Sequence, residues 1–142
     1  MKIVVGVDTD VHSMAALERA VALTERLGGE LHVFHATHVP ATVLSAIGSI
    51  PLDVTDYEEA ETEATWEKVD EVLAKHDVNV TRATARGYPP DAILDYAEEH
   101  QPDLIVLGSR GRSELAAFLL GSTGHRVLHY ASCDVMIVKH HE

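Results

Sequence analysis

The stretch LIVLGSRGRSELAAFLLGST, residues 104–123, joins an apolar run to a glycine-rich loop and then to the start of a helix. Leu104 to Leu107 reads as a buried strand, and Gly121 opens a helical pattern that continues to about His129. Between them stand Gly108 and Gly111, spaced so that backbone can approach an anion where a Cβ would collide. Gly121, Ser122 and Thr123 then offer uncapped helix N–H groups and hydroxyls. This pattern predicts a phosphate cradle at the exit of a strand; the plainer alternative is a loop closed by an N-cap at Ser122. Local charge favours the cradle. Residues 108–126 hold Arg110, Arg112 and Arg126 against Glu114 alone, in a chain with 23 acids and 11 bases.

Outward from this loop the chain alternates strand and helix. Residues 2–8, KIVVGVD, form a β-branched strand ending at Asp8, and Ser13 to Leu27 carries Ala16, Leu17, Ala20, Leu23 and Leu27 at helical spacing. Ser13 is the expected N-cap and Gly28-Gly29 the expected stop. Glu30 to Ala36 is a second strand, apolar enough to be buried on both faces. From Thr37 to Leu52 the period fails around Pro40, Gly48 and Pro51, which predicts a variable loop with at most one helical turn at residues 41–46. A long helix follows from Asp56 to His76; its outer face bears most of the nine acids between Asp53 and Glu71, with Lys68 the only base, and reads as a solvated surface.

Asn79 to Arg86 alternates as a third strand, and Gly87-Tyr88-Pro89-Pro90-Asp91 launches a helix bearing Ala92, Ile93, Tyr96 and Ala97. Pro102 marks the stop before the fourth strand. A short turn with Leu115, Phe118 and Leu119 on one face is expected inside the glycine loop, and Asp134 to Val138 is the fifth strand. Five such alternations predict one doubly wound parallel sheet with helices on both faces and right-handed crossovers. Ligands of these sheets sit beyond the carboxyl ends of the strands where the winding reverses. If the first and fourth strands are neighbours there, Asp8 and Gly108 end on the same crevice.

The whole chain bounds the reading further. Its 142 residues make a single domain, residues 1–142, with room for one core. No apolar run is long enough to span a bilayer, and the N-terminus reads as a strand rather than a signal peptide. The lone Cys133 excludes an intramolecular disulfide and suits a reducing compartment, so cytoplasm is expected. A formal charge of −12 disfavours nucleic acids and anionic membranes as partners. Abundant acids with only four lysines would suit a salt-rich interior.

The residues resemble a known family. In the universal stress proteins that bind ATP, the nucleotide motif is Gly, two residues, Gly, nine residues, Gly, then Ser or Thr. Gly108-Ser109-Arg110-Gly111, the nine residues 112–120, and Gly121-Ser122 match it in full. The resemblance runs from Val4-Val5-Gly6-Val7-Asp8 through Gly87-Tyr88-Pro89-Pro90-Asp91-Ala92-Ile93 to Asp134-Val135-Met136-Ile137-Val138, leaving out residues 37–60. It implies an adenine nucleotide alpha hydrolase-like sheet with strand order 3-2-1-4-5. It also implies that Gly6, Val7 and Asp8, with Ala36, line the adenine and ribose pocket, the Ala36 backbone reading the adenine edge and the Asp8 carboxylate accepting a nucleoside hydrogen bond. By the same resemblance Gly108, Arg110 and Gly111, beside Leu107, hold ribose and α-phosphate. Gly121, Ser122 and Thr123 hold the β- and γ-phosphates, with Mg²⁺ or Mn²⁺ between the oxygens. A homodimer through the edge strand Val135 to Val138 is implied as well. After Asp8 this chain departs from the family's small pair with Thr9-Asp10, an added acid near the mouth.

Other nucleotide sites do not fit. A P-loop needs a lysine on the phosphates, and none lies between Lys75 and Lys139. A dinucleotide fingerprint needs three glycines after the first strand, where only Gly6 stands. Without such a lysine or a clear water-orienting group, hydrolysis is expected to be slow, and a nucleotide-binding switch is favoured over a committed enzyme. A slow ATPase or phosphotransferase, or a binder of AMP or another adenine ligand, is the alternative. His125 and His129 share a helix face but no third ligand is indicated, and His32 and His35 fall on opposite faces of a strand. Ser109, Ser113, His12 and Asp8 lack the Gly-x-Ser-x-Gly elbow of a hydrolase. Cys133, with no flanking base, is expected to be inert.

Overall fold

A computed structural model of the chain describes residues 1–38, 54–109 and 122–140. The expected loop of residues 37–52 therefore lies almost wholly outside the described residues, as does the short turn of Leu115, Phe118 and Leu119. The elements are β1 (Lys2–Gly6), α1 (Val11–Leu27), β2 (Glu30–Thr37), α2 (Val54–Leu73), β3 (Val80–Arg86), α3 (Pro89–His100), β4 (Leu104–Gly108), α4 (Ser122–Tyr130) and β5 (Asp134–Val138). The strands form one five-stranded sheet in the order β3-β2-β1-β4-β5, as the resemblance implied. Every pairing is parallel, with Val5 opposite both Val33 and Val106.

The near-continuous apolar strands follow from burial on both faces. Ile3, Val5, Val7, Leu31, Val33 and Val106 meet Leu17 and Val21 of α1 and Val69 of α2 on one face. Val4, Phe34, Ile105 and Leu107 meet Ile93 and Ala97 of α3 and Val127 of α4 on the other. Each fully buried aliphatic side chain contributes about 1.5–3 kcal/mol, so the central strands β1, β2 and β4 hold the sheet together.

Local signals set the ends of the elements. Gly28 closes α1 at φ 75°, its N–H bonding Thr24 O at 2.9 Å. Gln101 takes the left-handed conformation, at φ 51°, that stops α3 before Pro102. Some boundaries differ from expectation by more than one residue. β1 ends at Gly6 rather than Asp8, although the Val7 N–H still donates to Phe34 O at 2.8 Å. α2 starts at Val54 and gives way after Leu73 to turn bonds that reach His76. The cap of α1 is Asp10, not Ser13: the Asp10 carboxylate takes the His12 N–H at 2.8 Å, one helical turn before the serine. An ionised acceptor at a helix start wins over a hydroxyl that has a use elsewhere.

Candidate functional site

The winding of the sheet reverses between β1 and β4, so the two strands open a crevice at their carboxyl ends. Ser13 is employed there. Its hydroxyl accepts the Asp8 N–H at 2.7 Å and donates to Asp8 O at 3.1 Å, folding the exit of β1 over the first turn of α1. The Asp8 carboxylate in turn accepts the Asp10 N–H at 2.8 Å. Lys68 of α2 reaches across to Thr9 O at 2.8 Å, closing one flank.

Gly108 meets the same turn from β4. A Cβ built there would stand 2.6 Å from both His12 C and His12 O and 2.9 Å from Ser13 N. Its glycine character therefore has a packing cause, and it presents only backbone to the crevice. Ser109 follows, its N–H held by Val138 O at 2.9 Å. Val7 and Leu107 are 6% and 4% exposed and their side chains belong to the core on opposite faces, so they too face the crevice only through backbone. Gly6 lets β1 pass Leu107 and Ile93, whose side chains would lie 2.8 and 3.0 Å from a Cβ. Ala36 and Thr123 are partly exposed, Ala36 near the end of β2 and Thr123 in the first turn of α4. Arg110, Gly111 and Gly121 lie outside the described residues; Ser122 is described as the first residue of α4.

Several side chains that the sequence pattern assigns to the loop or to open solvent have partners elsewhere in the fold. Arg126, counted above among the charges of the loop, bonds Asp91 at the start of α3 at 2.8 Å and lies over the Tyr130 ring. Its charge is committed between helices. The acids of α2 are likewise partly spent, Glu58 on Arg86 and Asp70 on Arg82. The two strand histidines do face opposite ways: His32 Nδ1 lies 2.6 Å from Tyr96 Oη under α3, and His35, 1% exposed, donates from Nδ1 to Val7 O at 2.9 Å. His35 is thus a brace between the ends of β1 and β2. Sequence reasoning set His12 aside with the hydrolase set, yet its Nδ1 lies 2.6 Å from the Asp10 carboxylate. The signal was an acid two residues before a histidine at a helix start.

The chain matches the universal stress protein family over residues 1–139. It belongs to that family. Universal stress protein YxiE of Bacillus subtilis is 32% identical, over 97% of this chain and 98% of the relative. Among solved structures, the universal stress protein UspA of Lactobacillus plantarum superposes with a TM-score of 0.78 at 25% identity, covering 97% of each chain. A universal stress protein in complex with cAMP superposes at 0.66 and 25% identity, over 98% of this chain and 96% of the other. Family membership accounts for the doubly wound sheet of this universal stress protein and for the strand order.

Cys133 stands apart from the crevice, before β5, and burial pushes its thiol up from the ordinary range. Less thiolate at neutral pH means less nucleophile. Alkylation by iodoacetamide at neutral pH will be severalfold slower in the folded chain than in urea, and equal rates would contradict this.

Proposed function

We propose that this universal stress protein binds an adenine nucleotide, ATP with Mg²⁺ or Mn²⁺, at the carboxyl ends of β1, β2 and β4, and acts as a nucleotide-dependent switch in a cytoplasmic stress response. One observation supports it above the others: Asp8, Ala36, the Gly108-Ser109 backbone and the start of α4 all open on the end of the sheet where the winding reverses, in a chain that carries the full glycine spacing from Gly108 to Ser122. In this reading the Ala36 backbone reads the adenine edge and Asp8 accepts from the nucleoside. Gly6 and Val7 wall the pocket. Gly108, Arg110 and Gly111, beside Leu107, hold ribose and α-phosphate, and Gly121, Ser122 and Thr123 take the outer phosphates, through which the divalent ion is held.

Thermal unfolding of the nucleotide-stripped chain tests it. ATP at a hundred times its dissociation constant stabilises the fold by about 2.7 kcal/mol. Ser122→Ala will lose one hydrogen bond to a charged phosphate, roughly 1.5–3 kcal/mol, or about tenfold to somewhat over a hundredfold in affinity. Gly111→Val will abolish the shift. No shift with any adenine nucleotide would overturn the proposal. The relative crystallised with cAMP favours a second reading, a monophosphate ligand, and tighter binding of cAMP or AMP than of ATP would select it.

The same reading includes a homodimer. β5 is an edge strand whose Val135, Met136 and Ile137 are only partly buried, and an apolar edge requires a cover. Pairing of Val135 to Val138 with a second copy supplies one. A solution mass of a monomer at micromolar concentration would contradict it.

A further inference from the structure

We infer that His35 is a positioning residue that gives the nucleotide site its preference for adenine, by keeping the Ala36 N–H out of the sheet ladder and open to the base; the inference rests on the nucleotide reading above. Along β2, alternate residues turn their backbone groups to opposite neighbours. The Leu31 N–H bonds Asn79 O, beside β3, at 2.9 Å, and Phe34 O takes the Val7 N–H on the β1 side at 2.8 Å. Ala36 is in step with Phe34, so its N–H faces β1, where the next rung of the ladder would lead to Val7 O. Among the described residues that rung is not made: Val7 O accepts instead from Nδ1 of the His35 ring at 2.9 Å.

A carbonyl oxygen only accepts, so Nδ1 carries a proton. The ring is 1% exposed, and its Nε2 makes no hydrogen bond. A leucine would fill this place without burying an orphan nitrogen, so what the imidazole adds is the one bond to Val7 O. That bond braces the end of β1 against β2, and it occupies the acceptor that would otherwise draw in the Ala36 N–H. Ala36 is partly exposed, and the donor it keeps opens at the carboxyl end of the sheet. One donor there distinguishes two purines. Adenine carries an acceptor lone pair at N1, whereas guanine carries an N–H at the same ring position and would set donor against donor.

Amide hydrogen exchange and nucleotide titrations of the full chain test it, in wild type, His35→Leu and His35→Asn. In the nucleotide-free wild type the Ala36 amide is expected to exchange about tenfold faster than the Val7 amide, which is bonded. Leucine has no donor, so the rung closes: Ala36 becomes protected, and affinity for ATP with Mg²⁺ falls about three- to tenfold, the loss of one neutral hydrogen bond. GTP and inorganic tripolyphosphate gain nothing from that donor and are expected to bind as before, so the preference for ATP shrinks by the same factor. Asparagine, whose amide N–H stands near the place of Nδ1, is expected to restore both the exchange pattern and the preference. An Ala36 amide as protected as that of Val7 in the nucleotide-free wild type would overturn the inference, and this arm needs no variant to fold. An ATP-to-GTP ratio unchanged in His35→Leu, or equal losses for ATP and tripolyphosphate, would overturn it too, and all of these leave the nucleotide reading standing. Failure of the wild type to bind any adenine nucleotide would remove that reading, and this inference with it.

Discussion

Gly108→Val will lower the unfolding free energy by about 3 kcal/mol or more, the largest loss expected from any single change at the crevice. The added atoms meet backbone, His12 C and O at 2.6 Å and Ser13 N at 2.9 Å, and backbone cannot rotate aside as a side-chain tip can. Relief requires moving the first turn of α1 away from β4, which also breaks the bonds of Ser13 to Asp8. The urea midpoint should fall with little change in slope, and the melting temperature by roughly 10 °C for a chain of this size. Gly28→Ala is the contrast. Nothing lies within 4 Å of a Cβ there, so only the strain of φ 75° remains, about 1–2 kcal/mol. Equal losses at the two positions would mean that α1 does not press on β4.

Phe34→Ala will destabilise the chain by about 3–5 kcal/mol, the range for emptying a buried aromatic site. Phe34 is 2% exposed and its ring centroid lies 4.9 Å from that of Tyr96, so truncation leaves a cavity between β2 and α3. Its carbonyl takes the Val7 N–H, and a relaxing β2 loosens the end of β1 as well. Chemical denaturation gives the value directly; a loss under about 1 kcal/mol would show that α3 collapses onto the sheet without cost.

The order of elements was legible because burial on both faces leaves an unbroken apolar run for each central strand, and because Gly28, Pro89, Pro90 and Pro102 punctuate the chain by local backbone chemistry. The cap of α1 was misread for a physical reason. Asp10 and Ser13 are both good caps, and only tertiary structure shows that the Ser13 hydroxyl brackets Asp8. The charge of the glycine loop was overcounted for the same reason: the partner of Arg126 lies 35 residues away on α3. The acid–histidine pair of Asp10 and His12 is local and could be read from spacing. Its position against Gly108 and His140 could not, since it depends on β4 and β5 closing on α1.

The most direct test of the account is where the nucleotide binds. Amide NMR shifts on adding ATP and Mg²⁺ to the stripped chain should gather at Val7, Asp8, Ala36, Gly108, Ser109 and Thr123, all at the carboxyl end of the sheet. The opposite end has a hollow of its own, lined by Met1, Lys2, Gly29, Glu30, Asn79 and Asp103, which should stay silent. Shifts confined to that hollow, or none at saturating ATP, would contradict the assignment of the crevice.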